Sequence, residues 1–254
     1  MKLLITAGGT REPIDRVRSL ANTSTGATGA ALAAELAARG HSVELLLSKY
    51  ATAAVPPHAN LSLGPSFTTT ADLETQLRAR LGTGAFDAVI MAAAVADYRP
   101  KPSSAQGGKI DSDSDALTLR LVRVPKLLPQ LRQFSPRPLC LIGFKLTVGA
   151  GGREGREERE GEAARRAAVQ KQFASSAVDA VVHNDFSEIE AARAEAQHSA
   201  NGAEARPTNK LATSSTPHPF RFFTRADESP PVLANAAALA QRLDQFLRAR
   251  APQR

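Results

Sequence analysis

Glycine and hydroxyl residues near the amino terminus form two clusters with the composition of a phosphate-binding loop. They are Gly9, after the apolar run KLLITA, and Ser24, Gly26 and Gly29, before an Ala-rich stretch. Glycine lets backbone N–H groups approach phosphate oxygens, and the positive end of a following helix favours an anion. An ordinary capped turn uses the same residue types, because Ser and Thr are preferred N-cap residues. Residues 6–29 are therefore a candidate anion site, with a capped turn as the alternative.

The spacing of these glycines disfavours two common nucleotide-binding motifs. Sixteen residues separate Gly9 from Gly26, and neither GxGxxG nor GxxxxGK[ST] occurs in the chain. A reductase would also need a Tyr and a Lys one helical turn apart. Tyr98 and Lys101 have that separation, but Pro100 between them disfavours a regular helix. An NAD(P)-dependent oxidoreductase is therefore the weaker alternative.

Two charged residues follow the predicted buried strand that ends in AAAVADY. Asp97 can orient a hydroxyl or hold a metal ion that bridges phosphates, although an Asp at a strand end also serves as a turn residue. Lys109, in the segment GGKI, has the reach to neutralise phosphate oxygens in a transition state. Its alternative is a solvated loop lysine.

Two further residues lie at the ends of predicted strands. Phe144 in IGFKLT can pack against a base or belong to the core, and Asn184 in VVHND can bind a ligand or make an Asx turn. Of the five histidines only His183 lies in such a place. No His/Asp/Ser combination or metal-spaced cluster emerges, so neither acid–base nor zinc chemistry is indicated.

Apolar β-rich runs alternate along the chain with Ala- and Leu-rich helical stretches. Short continuous apolar runs are typical of strands covered on both faces of a parallel sheet. The predicted strands begin at Lys2, Val43, Phe86, Leu117, Leu139 and Val178. The predicted helices are 29–39, 71–81, 126–134, 160–174 and 232–250, the last entered through Pro230 and Pro231. The pattern predicts an α/β fold with a doubly wound, mostly parallel Rossmann-like sheet.

Three polar stretches interrupt this alternation. Residues 97–116 follow a buried strand, and because ligands bind at the carboxyl ends of strands in open α/β sheets, we predict a lid loop there. Residues 149–166 are charged and Gly-rich, which predicts a mobile loop that runs into a helix. Residues 186–218 are low in large apolar side chains, which predicts a flexible insertion. We expect one domain over residues 1–254.

Composition restricts the function classes further. The formal net charge is +7, but the 32 Lys and Arg residues are spread along the chain, and two Tyr without Trp offer little to stack on bases. No apolar run approaches the ~18 residues of a membrane span, and the start lacks the long apolar segment of a signal peptide. A lone Cys140 in LCLIGF predicts a buried thiol rather than a disulfide or a multi-cysteine metal site. We expect a soluble, cytoplasmic protein that binds neither nucleic acid nor membrane.

The order of these signals resembles the phosphopantothenate–cysteine ligase family, also called phosphopantothenoylcysteine synthetase, of coenzyme A biosynthesis. The matching segments are ITAGGTREPID, VRSLANTSTGATG, AAAVADYRP, GKI, LVRVPKLL, IGFKLT and AVDAVVHND. They cover residues 2–186, and the last helix matches weakly. The FKLT and VPKLL forms are similar to the stand-alone branch of the family.

The resemblance implies a ligase that joins 4′-phosphopantothenate to L-cysteine in two steps. The carboxylate is first activated as an acyl nucleotidylate with release of pyrophosphate, and the cysteine amine then displaces the nucleotide. Such a reaction depends on positioning and charge neutralisation more than on a protein nucleophile. The resemblance also implies Mg2+ with CTP or ATP and a homodimer. Because the sequence contains no flavin-binding decarboxylase half, we expect a separate decarboxylase to act next.

Carried over by position, the resemblance implies three groups of site residues. The nucleotide contacts are Gly9, Ser24, Gly26, Gly29, Phe144, Lys171 and Asn184. The phosphopantothenate contacts are Arg18, Asn22, Ala93, Ala94 and Asp97, with Arg18 reaching the phosphate from the other subunit. The catalytic residues are Asn22, which would stabilise the acyl nucleotidylate, and Lys109, the lid lysine over the reacting phosphates. No protein residue is assigned as a ligand of a resident metal.

This chain departs from the fusion members of the family in its basic residues. They have a run of lysines where this chain has Lys109-Ile110-Asp111, and a second lysine where Ser175 and Ser176 stand. The segment 26–29 also lacks a basic residue after its first glycine. These departures concern how tightly the site binds phosphate and which nucleotide it selects. A non-catalytic nucleotide-binding regulator of the same fold is the second alternative.

Overall fold

The computed structural model describes residues 1–101, 115–149, 156–201 and 216–250. The strands in these ranges are β1 (Lys2–Ala7), β2 (Arg11–Pro13), β3 (Ser19–Ala21), β4 (Ser42–Leu47), β5 (Leu61–Leu63), β6 (Ala88–Met91), β7 (Tyr98–Pro100), β8 (Leu121–Arg123), β9 (Cys140–Thr147), β10 (Ala180–Asp185), β11 (Phe220–Phe223) and β12 (Val232–Leu233). The helices are α1 (Ala27–Ala38), α2 (Thr70–Leu81), α3 (Leu131–Phe134), α4 (Arg156–Ser176), α5 (Phe186–Asn201) and α6 (Ala236–Arg248), with a 3-10 turn at Leu128–Gln130.

Eight strands form one sheet in the order β12-β11-β10-β9-β6-β1-β4-β5. The pairs from β10 through to β5 are parallel, whereas β11 and β12 run antiparallel at one edge. The central strands are buried, as their continuous apolar sequences require, and every residue of the AVIM segment of β6 is buried. The prediction of a mostly parallel sheet is confirmed.

Helices cover both faces of this sheet. One face carries α1 and α6, which pack with Ile5 and Val182. The other carries α2, α3 and α4, which pack with Leu4 and Val181. We call these the α1 face and the α4 face. Neighbouring residues of a strand point to opposite faces, so each buried strand supplies both cores and the fold is doubly wound.

Two antiparallel arms branch from the carboxyl edge of the sheet and contact each other. The first arm pairs β2 with β3, and the second pairs β7 with β8. Each arm interrupts the alternation of strand and helix, so the arms are additions to the doubly wound core.

The prediction that the run from Leu117 is a strand of the main sheet is wrong. Only Leu121–Arg123 is a strand, and it belongs to the second arm. The run LTLRLV alternates apolar and polar residues, and Leu117, Leu119 and Leu121 are exposed. Alternation of this kind suits a strand with a solvated face better than a doubly covered one.

The boundary of the last helix was also predicted wrongly. Val232 and Leu233, placed in the helix, form the edge strand β12, which pairs with β11. The helix begins at Ala236 because Asn235 is its N-cap, with a side-chain oxygen that accepts from the N–H of Ala238 at 3.0 Å. The two prolines before β12 thus lead into an edge strand, where Pro is tolerated.

The structure bears differently on the predictions made for the three polar stretches. Residues 186–201, predicted to be part of a flexible insertion, form α5, with Ile189 buried. Helix α4 begins at Arg156, inside the predicted mobile loop 149–166. The predicted helix 160–174 is thus confirmed but starts earlier, whereas α5 was missed, because its Ala-rich, charged sequence is helix-compatible but low in large apolar residues. Most of the predicted lid loop, 102–114, and residues 202–215 of the insertion lie outside the described residues.

Candidate functional site

Most of the predicted site residues lie where four adjacent strands end. In the sheet order β10-β9-β6-β1, these strands are parallel neighbours, so their carboxyl ends share one edge. Ligands of open α/β sheets bind in the crevice outside this edge.

The amino end of α1 lies against the end of β1, and two predicted glycines make this approach possible. Gly26 is the N-cap in the left-handed region, with φ 81°, and the Thr25 hydroxyl accepts from the N–H of Ala27 at 3.3 Å. A Cβ on Gly29 would lie 2.5 Å from the Cβ of Ala7. The first N–H groups of α1 therefore face the edge of the sheet beside the first glycine pair, which is the arrangement that binds anions.

Gly9 joins this helix start to the segment before it. A Cβ on Gly9 would lie 2.6 Å from the backbone oxygen of Asn22 and 3.7 Å from the Cβ of Ser24. The hydroxyl of Ser48 donates to the Gly9 oxygen at 2.8 Å, which fixes the turn from the other side. Close backbone approach explains glycine at this position, and it brings Ser24 beside the glycine pair.

Asn22 also reaches the end of β6. Its side-chain amide donates to the backbone oxygen of Ala94 at 3.3 Å. Ala94 in turn forms a bridge with Gly9, and the N–H of Ala93 donates to the buried hydroxyl of Thr6 at 3.2 Å. Ala93 and Ala94, predicted to contact phosphopantothenate, follow β6. They thus adjoin Gly9, which is predicted to contact the nucleotide and follows β1.

Asp97 is paired with a cation that the sequence analysis assigned no role. Lys126 Nζ lies 2.5 Å from Asp97 Oδ1, and both side chains are largely exposed. The N–H of Val124 donates to the Asp97 backbone oxygen at 2.9 Å, so the segment after β8 folds back beside the strand end. Lys126 stands in the segment VPKLL, and its place in a matched motif was the signal available for it.

Both arms begin and end at site residues. β2 begins two positions after Gly9, and β3 ends immediately before Asn22. β7 begins immediately after Asp97, and Lys126 follows β8 by three residues. The arms are therefore rooted in the same edge of the sheet that carries the site.

Phe144 and Asn184 form a second cluster at the ends of β9 and β10. Strand pairing aligns Val182 with Phe144 and Asn184 with Leu146, which places Phe144, Leu146 and Asn184 on the α1 face. Leu146 and the neighbouring Phe186 are exposed. This end of the edge therefore combines apolar surface with one amide, on the same face as the start of α1.

Asn184 is held by a histidine that sequence reasoning missed. Its Nδ2 lies 3.1 Å from His218 Nε2, and the His218 ring stacks on Phe220 at 4.4 Å. Burial, and then the charge of Arg193, lower the pKa of His218 to about 4. The imidazole is thus neutral at pH 7, and with its proton on Nδ1 its Nε2 accepts from the Asn184 amide. His218 lies in the stretch predicted to be flexible, so no sequence signal pointed to it.

Lys171 does not join this cluster. Its helix, α4, packs on the face opposite Phe144 and Asn184. The α4 residue that reaches β9 is the next one, Gln172, whose Nε2 donates to the Phe144 oxygen at 3.3 Å. Successive residues of a helix point in directions about 100° apart, so the side chains of Lys171 and Gln172 face different ways. Sequence matching did not distinguish between these two neighbouring positions.

A buried polar chain supports the edge from the α4 face. Thr147 donates to Asp185 Oδ2 at 2.6 Å and lies 2.9 Å from His183 Nε2. His183 is fully buried, and burial followed by the charge of Arg165 lowers its pKa to about 4. A neutral His183 donates from Nε2 to the Thr147 hydroxyl, which fixes the ends of β9 and β10 relative to each other.

Besides Lys171, two more of the predicted residues are not in this edge cluster as described. Arg18 lies at the tip of the first arm, where its backbone N–H donates to Asp15 Oδ1 at 2.7 Å and its Nε lies 3.7 Å from Asp15 Oδ2. Lys109 lies outside the described residues.

Three further observations concern other kinds of chemistry. Within the described ranges, no group of three or more His, Cys, Asp or Glu side chains is arranged to hold a metal ion. Burial, and then the charge of Asp179, raise the pKa of Cys140 to about 12, so its thiol is protonated and unreactive at neutral pH. None of the described helices has the length and apolarity that crossing a bilayer requires.

Comparison with known proteins yields one family and several relatives. Residues 1–201 match the sequence model of the DNA/pantothenate metabolism flavoprotein C-terminal domain. The coenzyme A biosynthesis bifunctional protein CoaBC of Thermococcus kodakarensis is 33% identical over 148 residues, which are 58% of this chain and 34% of that protein. The protein of the same name from Mycolicibacterium smegmatis is 43% identical over 163 residues, 59% of this chain and 36% of that protein. The matches thus span about a third of the length of these relatives.

A solved structure shares the fold over almost its whole length. The DNA/pantothenate metabolism flavoprotein from Streptococcus pneumoniae superposes with a TM-score of 0.74 and 25% identity, covering 98% of this chain and 99% of that one. The likeness extends past residue 201, where the match to the family model ends.

Proposed function

The chain belongs to the family of the DNA/pantothenate metabolism flavoprotein C-terminal domain, and on this premise we propose that it is a phosphopantothenate–cysteine ligase. The observation that carries the proposal is the junction of Gly9, Asn22 and Ala94. It places a glycine-lined helix start beside the strand end at which a second ligand can bind. Two ligands held at adjoining places are what a joining reaction requires.

The proposed reaction has two balanced steps. A carboxylate oxygen of 4′-phosphopantothenate attacks the α-phosphorus of the nucleoside triphosphate, and pyrophosphate leaves with the electrons of the broken P–O bond. The amine of L-cysteine then attacks the acyl carbon, loses a proton, and displaces the nucleoside monophosphate. Both steps move negative charge onto phosphate oxygens, so fixed positive and N–H groups lower the barrier.

The residues of the edge divide between these tasks. The start of α1, with Gly9, Ser24, Gly26 and Gly29, would hold the phosphates. Asn22 and the Ala93-Ala94 backbone would hold the acyl group between them. Lys109, carried over from the resemblance, would neutralise the reacting phosphates.

Mg2+ with CTP or ATP is the proposed nucleotide form. Mg2+ prefers oxygen ligands, takes most of them from phosphates and water, and needs only one or two carboxylates from the protein. Asp97, an exposed carboxylate immediately before β7, fits that limited requirement. When bound, the ion would neutralise phosphate charge, while Lys126 would keep Asp97 oriented.

We also propose that the chain forms a homodimer through its arms. Val17, Leu20, Tyr98, Leu117, Leu119 and Leu121 are exposed apolar side chains of the two arms. Contiguous exposed apolar surface is typical of an association site. Arg18, on the first arm, would then reach the phosphate of phosphopantothenate in the partner's site.

The test is a nucleotide-dependence assay. The purified chain is incubated with phosphopantothenate, Mg2+ and CTP or ATP, with and without cysteine, and pyrophosphate and the thiol product are measured. We expect product formation that needs cysteine and one of the two triphosphates. Absence of cysteine-dependent product with every nucleotide would contradict the proposal, and tight NADPH binding in its place would favour an oxidoreductase.

A further inference from the structure

The contact between Asn184 and His218 restricts what Asn184 can offer a ligand. An Asn side chain has two donors on nitrogen and an acceptor oxygen, and it can present either end. Here Nδ2 lies 3.1 Å from His218 Nε2. A neutral imidazole whose Nε2 accepts this bond holds the amide in one orientation. The group that remains for a ligand is then Oδ1, an acceptor.

The His218 ring is itself fixed. It stacks on Phe220, a fully buried strand residue, with the two rings only 6° from parallel. The Arg193 guanidinium opposes protonation of the ring, in addition to burial. The ring therefore stays neutral through the neutral pH range, and in the tautomer with its proton on Nδ1 the Nε2 atom accepts from Asn184 and holds its orientation.

The surroundings of Asn184 suit the flat face of a base. Leu146 is 50% exposed and Phe186 is 44% exposed, and Leu146 shares the α1 face with Asn184. The start of α1, which offers N–H groups to phosphates, lies on that same face at β1. A nucleotide that lies along the edge would place its phosphates at β1 and its base at β10.

We infer that His218 is a positioning residue that fixes the Asn184 amide, so that Oδ1 accepts a hydrogen bond from the exocyclic amine of a 4-aminopyrimidine or 6-aminopurine nucleotide. The inference rests on the proposed function, because it requires that a nucleoside triphosphate binds at this edge. Uridine and inosine nucleotides have a carbonyl oxygen in place of that amine. Two oxygens would then face each other, and the site would reject the ligand.

The first test compares matched nucleotides on the unaltered protein. CTP is compared with UTP, and ATP with ITP, because each pair differs chiefly in the exocyclic group. We expect the amino nucleotide of at least one pair to have a KM about tenfold below that of its partner, because the partner loses a hydrogen bond and leaves an acceptor unpaired. Equal KM values within both pairs would overturn the inference while leaving the ligase proposal intact.

Calorimetric binding of CTP and UTP, without the other substrates, separates the two proposals. A preference for CTP with no ligase turnover would support the role of Asn184 and contradict the ligase. Ligase turnover with no preference for CTP in binding or KM would support the ligase and contradict the role of Asn184.

The second test alters the histidine. His218→Ala releases the amide, so we expect the ratio of the UTP KM to the CTP KM to fall severalfold, with kcat for CTP changed less. His218→Gln, which can still accept from Asn184, should restore much of the ratio. His198→Ala, on the exposed surface of α5, is the matched control and should leave the ratio unchanged. An unchanged ratio in folded His218→Ala would overturn the inference.

Discussion

The side-chain amide of Asn22 donates to the backbone oxygen of Ala94 across 3.3 Å, and so ties the end of the first arm to the end of β6. Seventy-two positions separate the two residues in the chain. The bond joins the segment beside the start of α1 to the strand end where, in the proposed reaction, the acyl group would lie. Asn22 would then contact both reactants of the proposed first step.

Asn22→Ala should reduce turnover far more than nucleotide affinity. Removal of one fixed donor beside a developing charge costs about 100-fold in kcat. Steady-state kinetics and calorimetric nucleotide binding would measure the two effects. Asn60→Ala is the control, because Asn60 Nδ2 makes a similar bond to the Ala37 oxygen at the opposite end of the sheet. A regulator without catalysis would show no turnover to lose.

Gly29→Ala should destabilise the fold and weaken nucleotide binding together. The new Cβ would lie 2.5 Å from the Cβ of Ala7, so α1 must move away from β1. Overpacking of this kind costs about 2 kcal/mol, which urea unfolding would measure. Gly40→Ala meets no atom within 4 Å but has a φ of 87°. It should therefore cost about 1 kcal/mol without loss of binding. Normal nucleotide affinity in Gly29→Ala would argue against the helix start as the phosphate site.

Lys126→Ala should raise the KM for the magnesium nucleotide severalfold without changing the melting temperature. The Asp97–Lys126 pair is exposed, so it adds little to stability, but it sets the orientation of the carboxylate. Glu74→Gln breaks another exposed ion pair, with Arg78 on α2, and should leave the KM unchanged. Equal KM values for Lys126→Ala and the parent chain would remove Lys126 from the site.

Stability should fall on acidification through the titration of His183. Burial lowers its pKa from 6.5 to about 4 in the folded chain. Between these values the unfolded chain binds a proton that the folded chain does not, so the free energy of unfolding decreases as pH falls from about 6.5 to about 4. The full effect is roughly 3 kcal/mol, and it is absent above pH 6.5. Urea unfolding at pH 7.5 and 4.5 should show a smaller difference in His183→Gln, whereas His58→Gln, an exposed control, should match the parent.

If the arms form the dimer interface, an arm variant should be monomeric, and two inactive variants should restore activity when they form mixed dimers. Leu121→Asp should shift the protein to a monomer in sedimentation experiments. Leu63→Asp is the control, since Leu63 is exposed at the far edge of the sheet. Mixing Arg18→Ala with Asn22→Ala should recover about one quarter of the parent activity after subunit exchange, because each mixed dimer of a two-fold assembly has one complete site. No recovery in exchanged mixtures would contradict a contribution of Arg18 across the interface.

The strands of the central sheet could be predicted because their apolar runs are continuous, and the shared edge followed from their parallel order. Gly9, Asn22 and Ala94 meet there as that order requires. The arms could not be predicted in the same way, because alternation in LTLRLV does not say which face is covered. Gln172 differs from Lys171 only by the rotation of α4, which depends on packing. His218 is 34 positions from Asn184 in a polar stretch, so no local sequence pattern indicates that the two residues are in contact.

The rooting of both arms in the site has a consequence for the proposed ligase. If the arms associate, the contact between subunits also helps to hold four site residues in position, namely Gly9, Asn22, Asp97 and Lys126. Dilution below the dissociation constant of the dimer would then lower the activity of each subunit even with all substrates saturating. Specific activity should therefore rise with enzyme concentration until the dimer is fully formed.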